Sequence, residues 1–273
     1  MTKIILAPCS PFSVTTQILK ETSVFARKHG VQMHTHLCET KDEESFCCKV
    51  CGSRPLKYME ECGWTGNDVF YAHGIYFNDE EIKELARTGT GIAHCPASNM
   101  RLGSGICRVP DMLDAGVKVG LAVDGSASND AGNFVREMQL SLLVNRVGTP
   151  NGEERMTPQK VLHIATNGGS KIFNNPVIGS IKSGQAADLA IFDLERIDFA
   201  GAMSDPMSAI LFCGAGLRTE YTIVNGKVVV EKGRLNSVDE KELFHKANAF
   251  TKKIIEKTSL RTKIDYYKYK SNF

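Results

Sequence analysis

Four segments of the 273-residue sequence carry side chains suited to chemistry: His34-Thr-His36-Leu-Cys-Glu39, His73-Gly74, His94-Cys-Pro96 and Asp124-Gly-Ser126. Neutral imidazoles and carboxylates are ligands that Zn2+ and Fe2+ accept. A further carboxylate beside such a metal is placed to move protons, and the metal itself lowers the pKa of water to about 7. Residues two apart on a strand share a face, so His34 and His36 point one way and Thr35 the other. Glu39 lies three residues beyond His36, where the chain has left the strand and can fold back over the same pocket. A lone histidine at a strand end is most often a satisfied structural group. Four consecutive strand ends bearing such residues read instead as one site.

The elements that must position these residues follow from composition and periodicity. Short β-rich runs occur at Lys3–Ala7, Val31–His36, Val69–Ala72, Gly91–His94 and Val117–Val123. Helical segments separate them: Val14–His29 ending at Gly30, Asp42–Cys62 ending at Gly63, and Asp79–Arg87 ahead of Gly89. Asn133–Arg146 and Thr157–Phe173 follow. This alternation predicts βα units in a parallel sheet. In a βα barrel the C-terminal ends of the strands face the active site, which is where the polar segments fall. Beyond residue 176 the texture changes to short β-branched runs, Ile178–Ile181, Asp188–Phe192 and Tyr221–Val230, with an Asn225-Gly226 pair that predicts a tight hairpin. The expected divisions are 1–175, 176–236 and 237–273, the last a helix with a fraying Lys/Tyr-rich tail.

Composition excludes several classes. Lys plus Arg number 33 against 31 Asp plus Glu, so a net charge of +2 gives no electrostatic reason to expect nucleic-acid or anionic-membrane partners. No apolar run reaches the roughly 18–20 residues of a membrane span, and MTKIILAPCSPF is not a secretory signal. An odd count of nine cysteines at irregular spacing reads as free thiols in a reducing, cytoplasmic setting rather than a disulfide framework. The Cys47-Cys48-x-x-Cys51 cluster lacks a second CxxC or a His pair at zinc-finger spacing.

In order and interval, HTHLCE, AHG, HCPASNMRLG and VGLAVDGSASND resemble the amidohydrolase superfamily, in its chlorohydrolase and nucleobase-deaminase branch. LAPCSPFSVT and GSRPLKYMEECGW are similar to the 8-oxoguanine and guanine-type deaminases, while GSIKSGQAADLAIFDL and YTIVNGKVVVEKGRL resemble strands of the family's small β domain. The resemblance spans residue 3 to about 235. It implies part of a (β/α)8 barrel, about strands four to eight, followed by strands of a small β-sandwich domain. It further implies His36 as a metal ligand, Glu39 as proton shuttle to a ring nitrogen, and His73 beside the attacking water or its metal. Asp124 is implied as ligand and general base, with Ser98 and Asn99 shaping the substrate pocket and His34 and His94 as support. Cys9 stands where adenosine-type relatives carry His, which argues against a nucleoside contact.

The activity so implied is metal-dependent deamination of a purine-like heterocycle with release of ammonia, using Zn2+, or Fe2+ as the alternative. A triazine amino- or chlorohydrolase is the second enzyme reading. The family's first barrel strand bears an HxH metal pair that this sequence does not show, so a non-catalytic fragment is a third, with weak metal binding and little activity. Unpaired sheet edges and the habits of relatives lead to an expected homo-oligomer.

Overall fold

Five strands hydrogen-bond in sequence order into a parallel sheet: β1 (Ile5–Leu6), β2 (Gln32–Leu37), β3 (Val69–His73), β4 (Gly91–His94) and β5 (Lys118–Leu121). The computed structural model describes residues 2–214 and 216–262, and the expected fraying tail lies outside the described residues. The register sets His34 opposite Phe70 and His36 opposite Ala72, and Ala72 opposite Ala93. One face of the sheet therefore carries His34, His36, Phe70, Ala72 and Ala93. The other carries Met33, Thr35, Leu37, Tyr71, Ile92 and Val119, all buried. These are the five parallel strands expected of barrel strands four to eight.

The connecting helices begin and end on local signals. Thr15 caps α1 (Thr16–Lys28) by accepting the Ile18 N–H. A reciprocal Asn78–Glu81 capping box opens α4 (Asp79–Thr88), and Gly89 closes it at φ 73. The single helix expected over 42–62 is divided. Helix α2 (Lys41–Phe46) runs into a wide turn at Cys47–Cys51 and stops at Gly52, whose φ of 78 is a left-handed cap. Helix α3 (Pro55–Glu61) then starts on Pro55, whose missing N–H costs nothing in a first turn. Next come α5 (Pro96–Arg101), α6 (Val109–Asp114), α7 (Phe134–Gly148), α8 (Gly152–Arg155) and α9 (Pro158–His163).

The segment after α9, a wide turn at Ile164–Gly168 and α10 (Gly169–Ile172), seals the N-terminal ends of the strands. Gln32 Nε2, at the start of β2, donates to the Ile172 carbonyl at 2.8 Å. Asn174 Nδ2 donates to the carbonyl of Asn67, just before β3, at 2.6 Å. Ile172 packs with Phe70 and Ala93, flanked by Ile5, Ala122 and Phe173. Glycine is required here: a Cβ on Gly120 would lie 2.7 Å from Ile172 Cδ1, and one on Gly168 would lie 2.2 Å from the Val119 carbonyl. With that end plugged, the opposite end of the strands is left for chemistry.

The chain divides into two units, residues 1–186 with 194–217, and residues 187–193 with the chain from 218 onward. The first also contains α11 (Pro206–Cys213). The second holds an antiparallel sheet of β6 (Leu189–Ile191), β7 (Tyr221–Val224), β8 (Lys227–Glu231) and β9 (Arg234–Leu235), with α12 (Glu240–Thr262) after it. Asn225 and Gly226, at φ 49 and 76, turn β7 into β8 as the sequence predicts. The strand expected at Ile178–Ile181 does not form; the segment is turn, with Gly179 at φ 84. Among the described residues no helix is long and apolar enough to cross a membrane.

Candidate metal centre

His36, His73 and Asp124 each bring one ligand atom to a common point, all within 4.8 Å of one another. They come from the ends of β2 and β3 and the loop after β5. His36 reaches it by strand alternation. His73 does not, because β3 pairing places it opposite Leu37, on the wrong face. Its φ of 71 redirects the chain, and Cys38 at φ 55 and Asp124 at φ 62 make similar turns after β2 and β5. Non-glycine residues hold this conformation at a cost of about 1–3 kcal/mol each, and such costs gather at functional sites.

Hydrogen bonds fix the tautomer of both imidazoles. His36 Nδ1 lies 2.5 Å from the Cys9 carbonyl, which also accepts from the His36 N–H and from Thr35 Oγ1. A carbonyl can only accept, so Nδ1 carries a proton and Nε2 is the nitrogen turned to the trio. His73, buried, places Nδ1 2.7 Å from Asn99 Oδ1 and turns its Nε2 toward the trio. The two rings stack, centroids 5.3 Å apart. Asp124 Oδ2 accepts from Ser98 Oγ at 2.5 Å and Ser128 Oγ at 2.9 Å. Burial alone would push the Asp124 carboxyl up, but hydrogen bonds from Ser98, the Gly125 N–H and Ser128 hold it below its usual value. Two imidazoles oriented through their far nitrogens and one carboxylate form the donor set a borderline divalent ion takes.

Glu39 stands beside this trio, its Oε2 3.7 Å from His73 Nε2 and its Oε1 3.4 Å from Ser104 Oγ. Its turn is held by Glu43, a residue the sequence reading passed over. The buried Glu43 carboxyl accepts the Cys38 N–H at 2.9 Å and the Glu39 N–H at 3.1 Å, while Thr40 Oγ1 accepts the Glu43 N–H. Burial raises the Glu43 pKa to about 7, against those two backbone hydrogen bonds. The Thr40-x-x-Glu43 spacing is a capping-box signature and could have pointed to it. Here the carboxyl reaches past the helix start to the turn bearing Glu39.

Ser98 and Asn99 lie in α5, buried, with their polar atoms turned to Asp124 and His73. The resemblance implies that they shape the substrate pocket; in the structure Ser98 bonds Asp124 and Asn99 bonds His73. Cys9 is exposed, and its carbonyl rather than its thiol meets His36. His34 stacks on Phe70 at 4.5 Å with Nδ1 3.2 Å from the Phe70 carbonyl, and burial lowers its pKa to about 4. His94 points to the other face, buried with neither ring nitrogen partnered among the described residues, and burial lowers it to about 3. Cys47, pushed up to about 12 by burial, and its neighbours Cys48 and Cys51 are free thiols outside the donor trio.

The pattern of the amidohydrolase family matches residues 1–229. An 8-oxoguanine deaminase of Pseudomonas aeruginosa is 46% identical over 237 residues, 87% of this chain and 52% of that protein. A hydroxydechloroatrazine ethylaminohydrolase of Pseudomonas sp. strain ADP is 37% identical over 256 residues, 93% of this chain and 53% of that protein. Among solved structures, the atrazine chlorohydrolase of Arthrobacter aurescens TC1 complexed with zinc superimposes at a TM-score of 0.85 with 31% identity, covering 89% of this chain and 54% of that one. The chain spans about half the length of the curated relatives it matches.

Proposed function

The chain belongs to the amidohydrolase family, and from that premise we propose that it serves metal-dependent deamination of a purine-like heterocycle of the 8-oxoguanine or guanine type, in which water replaces an amino group and ammonia leaves. The observation that carries this reading is the convergence of His36, His73 and Asp124 beside Glu39. Nε2 of each histidine and the Asp124 carboxylate would hold a divalent ion, Zn2+ in first place and Fe2+ as the alternative. Such an ion supplies Lewis acidity that makes water a nucleophile near neutral pH.

The chain's own groups handle the protons. Glu39, partly exposed at the mouth of the trio, donates a proton to the ring nitrogen next to the carbon under attack and regains one from the hydroxyl on that carbon as the carbonyl forms. Asp124, kept ionised by its three hydrogen bonds, takes a proton from the attacking water and passes it toward the departing amine. Ser98 and Asn99 keep Asp124 and His73 in place while this happens. The 46% identity to an 8-oxoguanine deaminase supports an oxopurine as substrate, and the thiol at Cys9 supports the absence of an imidazole contact to a ribose.

The test is ammonia release from 8-oxoguanine, guanine and an aminotriazine, together with chloride release from a chlorotriazine. The Zn2+-loaded chain is assayed alone and complemented with the N-terminal half of the Pseudomonas aeruginosa relative. Ammonia from an oxopurine, abolished by His36→Ala, is the expected result. Turnover of triazines alone, or full oxopurine turnover in His36→Ala, would overturn the proposal.

A further inference from the structure

Helix α5, directly after β4, and the loop after β5 hold two of the three candidate ligands through Ser98, Asn99 and Ser128, and both segments converge on a single buried side chain. Glu137, in the first turns of α7, is 0% exposed. Its Oε2 accepts the Ala97 N–H at 3.1 Å and its Oε1 accepts from Asn129 Nδ2 at 2.9 Å. Asn129 Nδ2 also donates to the Val123 carbonyl at 2.8 Å, and Asn129 Oδ1 accepts the Gly132 N–H at 3.3 Å. Ala97 precedes Ser98, Val123 precedes Asp124, and Ser128 precedes Asn129. Every bond of this network therefore acts one residue away from a group that is, or touches, a candidate ligand.

A carboxylate enclosed in this way is a costly choice if only packing is needed, since an apolar residue would fill the space without desolvating a charge. Both oxygens face N–H donors, and a carboxylate, unlike an amide, accepts on both. We propose that Glu137 is a positioning residue that ties the first turn of α5, residues 96–99, to the loop of residues 123–129 and so sets His73 and Asp124 for metal binding. The inference rests on the reading of His36, His73 and Asp124 as the metal donors.

The experiment compares the 273-residue chain with Glu137→Gln, whose amide must turn an NH2 toward one of the two donors. Amide hydrogen exchange and the ring 15N shifts of His73 are recorded without metal, and Co2+ is then titrated with its visible d–d band as readout. Exchange in residues 95–99 and 123–129 should speed by about tenfold or more, with β2 and β3 unchanged. His73 should lose its single Nδ1–H tautomer signature, and Co2+ binding should weaken about 10- to 100-fold with an altered band. Asn129→Ala is the second variant in case Glu137→Gln does not fold; it should loosen residues 123–129 while the Ala97 amide stays protected. Unchanged loop exchange and His73 tautomer would overturn the proposal, as would acceleration spread evenly over the whole sheet. If the unaltered chain binds no Co2+ while loops and tautomer still respond to Glu137, the metal reading falls and the clamp stands. Equal Co2+ affinity and identical bands in chain and variant would remove the clamp and leave the metal reading in place.

Discussion

Glu43 carries a titration cost that bears on the site, and it can be measured without any substrate. The residue is 2% exposed and its carboxyl pKa is raised from the ordinary 4.5 to about 7, with burial as the dominant cause. At about 1.4 kcal/mol per unit the shift corresponds to about 3 kcal/mol, an order-of-magnitude figure. The folded-state pKa lies above the unfolded one, so the folded state binds the proton more tightly. The associated stability is fully present below about pH 4.5 and is lost as pH rises through about 7. Glu43→Gln removes the titration. It also leaves one acceptor oxygen for the two N–H groups of Cys38 and Glu39, a loss of about 1 kcal/mol. Urea unfolding of the metal-free chain at pH 5 and pH 8 should therefore show a fall in stability larger by about 2.5 kcal/mol in the unaltered chain than in Glu43→Gln. The 13C shift of the Glu43 carboxyl should titrate near 7. A midpoint near 4.5, or equal pH dependence in the two chains, would refute the reasoning.

Three further outcomes follow from the same geometry. Glu39→Gln in the complemented, metal-loaded protein should keep its metal and lose turnover by about 10²-fold or more, read from metal content and ammonia release; lost metal would recast Glu39 as a ligand. Ser98→Ala removes one of the bonds that hold Asp124 ionised, so Co2+ affinity should drop about 10- to 100-fold and binding should fail at a higher pH than in the unaltered chain; a superimposable pH titration would count against it. Cys9→Ser keeps the carbonyl that orients His36, so Co2+ affinity should stay within about twofold; a tenfold loss would mean the thiol itself is a ligand.

Much of the fold was legible because its signals are local. The five strands, the Asn225-Gly226 hairpin and the ends of α1 and α4 at Gly30 and Gly89 follow from alternation, turn residues and caps. The break between α2 and α3 was equally local, in Gly52 and Pro55, but a run of helix-compatible residues on either side hid it. The plug at Ile172 was not legible, because its contact with Gly120 joins residues far apart in sequence. The same holds for Glu137, whose partners Ala97 and Asn129 lie in α5 and in the loop after β5. Nothing in the periodicity of α7 distinguishes a charged residue spent on two N–H groups from one facing solvent.

The candidate ligands show where strand periodicity stops being informative. Alternation correctly sets His36 beside His34, yet the same rule applied to β3 would turn His73 away, onto the face of Tyr71, whose hydroxyl bonds the Trp64 carbonyl in the packed layer. What brings His73 back is a left-handed residue at a strand end, and Cys38 and Asp124 repeat the device. None of the three is glycine, so each turn is strained, and each is held by bonds that the strand pattern does not encode. Glu43 grips the N–H of Cys38, Asn99 grips the ring of His73, and Ser98 and Ser128 grip the carboxylate of Asp124. The identity of the donors is thus carried by residue type at strand ends, while their aim is carried by buried polar residues that restrain the backbone after the strand has finished. Substitutions at Asn99, Ser98 and Ser128 should therefore alter metal binding more than overall stability, whereas substitutions in the plug around Ile172 should do the reverse.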